Sequence, residues 1–275
     1  MGENQKSGKA LVIAIIVLCV LLFAETLFIC INMNKITNNS ADSNIEIDEK
    51  NESEKEEITD LDIKSSLVSE LYGYIPQYNV NMSQENAYQS SKTTVESLNN
   101  SFLLAHAFRR IEVPNEEKEI VAGDYNDGWY KFNPDILQAE VKKIYGRELP
   151  NESFNIGAGS SCLFEDGKYQ YGYGGGSGMG SSNIRKIDKA YIQGDKLYIE
   201  DEYLYIENIG YGEETGTFIY ETSDKSNLVA KYTFETSLAG QGVVENLNNM
   251  KKYKHTFQKG EYDNYYWLST EPIAK

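Results

Sequence analysis

One unbroken apolar run constrains this chain more than any other feature. Residues 10–31 read ALVIAIIVLCVLLFAETLFICI and turn polar only at Glu25 and Thr26. As a helix rising about 1.5 Å per residue, the run would be roughly 33 Å long, which matches the hydrocarbon core of a bilayer. Lys6 and Lys9 precede it, Lys35 follows it, and the sequence then becomes acidic. The positive-inside rule therefore predicts a cytoplasmic tail over 1–8, a single membrane-spanning helix over 9–31, and the rest of the chain outside the cell. The run could also serve as the apolar part of a signal peptide. Cleavage after Ala24, however, would put Leu22 where a small residue is required, and neither Cys19 nor Cys30 follows the small residues of a lipoprotein signal. An uncleaved anchor in the cell membrane is expected. Glu25 falls in the outer third of the run, where a carboxylate either reaches the interface or pairs with another helix. It is the candidate contact for a membrane partner. With so short a tail, no folded domain is expected on the cytoplasmic side.

The next segment, 32–60, reads as a linker. Over 36–60 nine acidic residues face only Lys50 and Lys55, and the segment has too little apolar surface to offset the entropy of ordering it. Like charges extend it into a stalk. The whole chain carries a formal charge of −16. That balance argues against a nucleic-acid partner, whose phosphates need basic residues, and against docking on anionic lipid through surface charge.

Residues 61–275 carry the pattern of a folded domain. "TDLDIKSSLVSELYGYI" predicts a helix capped by Thr59 or Asp60, with Ile63, Leu67, Val68 and Leu71 on one face. A second helix is expected near 94–111, with Leu103, Leu104, Ala107, Phe108 and Ile111 inward and Asn99, His106 and Arg110 on the polar side. A third has the fullest signature: Asn133 as cap, Pro134 and Asp135 in the first turn, and Gly146 at the end. After Pro150 the chain becomes rich in tyrosine, isoleucine and threonine, with hairpin signals at Asp166-Gly167 and Gly194-Asp195. Strands are expected in "GTFIYETS", "LVAKYTFET", "YKHTF" and "YYWLST", and a bulge near Glu200-Asp201-Glu202. Helices followed by antiparallel strands predict an α+β domain, a few helices packed on a curved antiparallel sheet. In element order alone this is similar to the NTF2-like and cystatin-like folds.

The glycine-rich stretch YGYGGGSGMGSS (171–182) invites a phosphate-binding reading. Neither frame fits the dinucleotide spacing: from Gly172 the sixth position is Ser177, and from Gly174 it is Met179. No Gly-Lys-Ser/Thr follows, and the next segment reads as a strand, so no helix N-terminus is offered to a phosphate. A loop between strands is expected, with no nucleotide; backbone amides near Gly174 and Gly176 could still grip a ligand.

Other candidate residues have ordinary structural roles open to them. Cys162 is the sole cysteine beyond the apolar run, and only His106 and His255 could activate it. A small buried thiol and a core histidine are the simpler expectation. "DYNDGWYKFNPD" mimics a calcium loop at Asp124, Asn126 and Asp135, but Gly128 sits where a ligand belongs and no glutamate closes it. No metal and no cofactor are expected. Glu200 and Glu202 share a strand face and could act as paired carboxylates, although a solvated face explains them as well. Tyr169, Tyr171 and Tyr173 alternate along one strand, and Tyr203 and Tyr205 along another; such rows stack on sugar rings or form protein contacts. The expectation is a non-catalytic domain outside the cell that binds an envelope protein or wall glycan through these tyrosines and the glycine loop. The alternatives are an envelope hydrolase using paired carboxylates and a subunit of an envelope membrane complex.

Overall fold

A computed structural model of the chain describes residues 57–77, 86–121, 128–157, 159–172, 181–210, 215–233, 245–261 and 264–274. The apolar run with Glu25, and the glycine stretch from Tyr173 through Gly174 and Gly176 to Gly180, lie outside the described residues. No described helix is long and apolar enough to cross a membrane.

Two antiparallel sheets dominate, and they correct the single-sheet expectation. The larger holds eight strands. Along one path run β1 (Ile58–Leu61), β8 (Ser181–Gln193), β9 (Lys196–Ile209), β12 (Lys251–Lys259), β13 (Tyr265–Pro272) and β2 (Thr93–Thr94); β10 (Gly216–Tyr220) and β11 (Leu228–Tyr232) branch from β9. The smaller sheet orders β3 (Glu119–Ile120), β4 (Tyr130–Phe132), β7 (Lys168–Gly172), β6 (Ser160–Glu165) and β5 (Phe154–Gly157). The fold is therefore mostly antiparallel sheet, with three α-helices among the described residues: α1 (Ser66–Tyr72), α2 (Asn100–Phe108) and α3 (Pro134–Tyr145). The expected order of helices first and strands afterwards fails for a physical reason. Strands β1 to β4 are two to four residues long, too short to show a period of two in the sequence.

β9 is the spine of the large sheet. Along its length it pairs with β8; on its other edge the first part takes β12 and the last part β10. Leu197, Ile199, Asp201, Tyr203 and Tyr205 are all buried, so the inward alternation runs straight through the acidic triplet. The bulge expected in β9 sits instead in its partner, between Ile187 and Lys189 of β8. Both hairpins form where the turn residues demand. Asp166 and Gly167 adopt φ of 51° and 75°, and Gly194 adopts 60°.

The helices start and stop by local chemistry. Asn133 accepts from the Asp135 amide at 3.0 Å, and Gly146 ends α3 in the left-handed region at φ 71°. α1 departs from expectation: Ser65 caps it, accepting from the Val68 amide, while Thr59 and Asp60 belong to β1. α2 is shorter than its apolar pattern suggested and is buried from Phe102 to Phe108 on every side, His106 included. One side packs on β5 and on α3, and α3 in turn packs on β13. Phe108 meets Phe132, Phe154 and Tyr171 with ring centroids 5.6 to 5.7 Å apart. A helix buried all round needs no polar face, which is why His106 could not be placed from periodicity.

Candidate functional site

The face of the large sheet that carries the core also carries a buried polar chain. Asp201 of β9, His255 of β12 and Thr270 of β13 are each 0 % exposed. The Trp267 indole N–H donates to Thr270 Oγ1 at 3.1 Å. The Thr270 hydroxyl proton is then free to go to His255 Nδ1, 2.7 Å away, and His255 Nε2–H donates to Asp201 Oδ1 at 2.9 Å. This accounting assigns the Nε2–H tautomer, held by an acceptor on one side and a hydroxyl donor on the other. Asp201 Oδ2 accepts two phenolic protons, from Tyr72 at the end of α1 and from Tyr88, both at 2.6 Å. Burial, and after it the field of Asp201, push the Tyr72 hydroxyl far above its ordinary pKa. Tyr88 moves the same way, chiefly through burial.

Arg185 of β8 completes the cluster. Its guanidinium lies 4.1 Å from the Tyr72 ring centroid, and Nη1 donates to the Tyr88 hydroxyl at 3.1 Å. Tyr88 also stacks on Tyr203 at 4.0 Å and 7°. Ser223 locks the Tyr88 backbone, both its amide and its hydroxyl donating to the Tyr88 carbonyl at 2.9 Å. Four strands, the 86–90 segment and α1 thus converge on one carboxylate.

Chemically, Thr270–His255–Asp201 has the hydroxyl–imidazole–carboxylate order of a nucleophilic relay. All three groups are sealed, and the hydroxyl oxygen is already engaged by Trp267, so no reacting atom can stand beside it. Cys162 belongs to β6 of the smaller sheet, and burial pushes its thiol up to about 12, away from the reactive thiolate. The bonded partners of His255 are Asp201 and Thr270, so the thiol and this imidazole form no dyad. His106 is bound to the Tyr145 hydroxyl at 2.7 Å, and burial drives its pKa down to about 3. Among the described residues no group of three His, Cys, Asp or Glu could hold a metal ion. Asp124 and Asn126 of the calcium-like stretch lie outside the described residues, while Asp135 serves the first turn of α3.

Glu200 and Glu202 point to the opposite face, where Glu200 meets Lys189 at 3.1 Å and Glu202 meets Lys186 at 3.6 Å and Lys252 at 3.8 Å. The tyrosines singled out from sequence are mostly internal. Tyr169 is fully buried among Phe132, Phe154 and Phe164 and donates to Asn151 Oδ1 at 3.0 Å. Tyr171 is half-buried against Phe108 and Tyr130, while Tyr203 and Tyr205 are buried. Tyr72, Tyr88, Arg185, Trp267 and Thr270 escaped sequence reasoning, since each has an ordinary local context. One signal was available: Asp201 occupies an inward position in an otherwise apolar alternation.

Compared with family models, curated proteins and solved structures, the chain matches none of them. The likeness of element order to NTF2-like and cystatin-like folds accordingly carries no argument.

Proposed function

We propose that residues 57–275 form a non-catalytic binding domain, displayed outside the cell by the apolar run at 10–31. The observation that carries this reading is the sealing of Asp201, His255 and Thr270. The residue types best suited to catalysis are consumed in mutual hydrogen bonds that clamp α1, the 86–90 segment and four strands together. Such a clamp provides a rigid frame for recognition. The acidic charge, the linker and the apolar run supply the placement, and an envelope protein, peptide or wall glycan is the class of partner that placement makes available. A carboxylate hydrolase draws no support from Glu200 and Glu202, each of which is paired with lysine.

The test uses the full chain in detergent micelles. Thermal-shift titrations against purified wall glycans and wall peptides should give saturable stabilisation without turnover. Turnover of any such substrate by the wild-type chain, lost in a His255→Gln variant with an unchanged circular-dichroism spectrum, would overturn the reading.

A further inference from the structure

We propose that a cleft between β11 and the start of β12 binds a neutral sugar. The proposal rests on the binding reading above and gives it a place and a chemistry. One edge of β9 is shared by two strands: β12 begins opposite Tyr203, and β10 ends opposite Tyr205. Both run antiparallel to β9, so the chain leaving β10 and the chain entering β12 must part where they would otherwise collide. The parting leaves a cleft of about 430 Å³, lined by Glu221, Asn227, Leu228, Val229 and Asn249. That volume falls in the range of small-ligand clefts, about 300–1,000 Å³. Solvent reaches it directly: Asn227, Leu228 and Asn249 are exposed, Leu228 by 55 %.

The walls are held before any ligand arrives, which lowers the cost of binding. The Glu221 amide donates to the Asn227 carbonyl at 3.0 Å, and Asn227 Nδ2 donates to Glu221 Oε2 at 3.2 Å. In the turn between them, Asp224 accepts from the Ser90 amide at 2.9 Å and tethers this wall to the 86–90 segment. On the facing wall, Asn249 Nδ2 donates to Asn246 Oδ1 at 2.9 Å. Val229 packs against Leu204, Ile219 and Met250, which backs the apolar part of the cleft. Two carboxamides and a carboxylate set donors and acceptors side by side, the pairing that suits hydroxyl groups, which do both. Leu228 and Val229 offer an apolar surface to the C–H face of a sugar ring. The lining holds a carboxylate and no cation, which disfavours an anion. An ammonium ion would meet one carboxylate in an open cleft, an attraction that water largely screens.

The full chain in micelles is titrated with N,N′-diacetylchitobiose, with its deacetylated diamine, and with cellobiose, following heat release and amide hydrogen exchange. Saturable binding of diacetylchitobiose or cellobiose is expected, with exchange slowed over 221–229 and 247–251; the preferred one names the substituent that the cleft reads. Asn249→Ala should weaken binding about tenfold. Leu228→Lys, which puts a cation into the cleft, should weaken it further. Both side chains are exposed, so melting temperatures should stay near that of wild type. Tighter binding of the diamine, unchanged affinity in both variants, or no saturable response in wild type would overturn the site. If a variant fails to fold, exchange in wild type still decides, and protection confined to other segments overturns the site. A chain that binds wall peptides and ignores all three sugars would sink the cleft and leave the binding reading standing. Turnover of a sugar bound at the cleft would sink only the non-catalytic reading.

Discussion

At the residue scale, two buried polar groups set the response of this domain to mutation and to pH. Asp201 accepts from His255, Tyr72 and Tyr88. Asp201→Ala strips an acceptor from each and leaves Arg185 without its counter-charge. A loss of about 3–5 kcal/mol is expected, the scale for breaking a buried charged cluster by removing one member. Urea unfolding with an unchanged slope would measure it; a loss within the surface-mutation range of about 0.5 kcal/mol would mean the cluster is not a clamp. His106 titrates near 3 when folded and near its ordinary 6.5 when unfolded, so the unfolded chain binds its proton first. Its contribution is therefore fully present above pH 6.5 and is lost as pH falls towards 3, by up to about 1.4 kcal/mol per pH unit. Urea midpoints measured between about pH 7 and about pH 4 should show this slope, and His106→Gln should flatten it. His106 could not be ranked from sequence because it falls on an expected polar helix face, and Asp201 offered only its inward position among apolar neighbours.

At the element scale, turn and cap chemistry was legible, whereas pairing partners were not. Asn133, Pro134 and Gly146 delimit α3 as expected, because capping depends on residues within one turn. The hairpins at Asp166-Gly167 and Gly194-Asp195 were legible for the same reason. Gly216 shows what sequence hides. It adopts φ 141°, and an added Cβ would stand 2.3 Å from the Tyr232 carbonyl oxygen, where β10 meets β11. Gly216→Ala should cost at least about 2 kcal/mol through strain and displacement of β11. Gly167→Ala, at φ 75° with open space around it, should cost about 1 kcal/mol. Equal melting temperatures for the two variants would remove the distinction. The sequence marks Gly167 as a turn residue but gives no sign of the close approach at Gly216.

At the scale of the whole molecule, the two sheets enclose a core to which all three helices contribute. The outer face of the large sheet carries opposed charges, with Lys252 on Asp188 at 2.9 Å and Lys254 on Glu271 at 2.7 Å, which keeps that face solvated. The proposed placement outside the cell belongs to this scale. Protease added to intact cells should digest an epitope tag after residue 275 and spare one before residue 1. The opposite pattern would remove the placement and leave the fold untouched.

The sequence by itself determined what depends on near neighbours: the caps of α3, the two hairpin turns, and the strand character beyond Pro150. Only the tertiary structure decided that a second sheet forms, that α2 is buried all round, and that Tyr72, Asp201 and His255 meet. Tyr72 and Asp201 are 129 residues apart, and their contact follows from the register of β8, β9 and β12 together. A slip of one residue in any pair would turn the whole strand over, so the meeting point is a property of the packed sheet and is written in no local stretch of the chain.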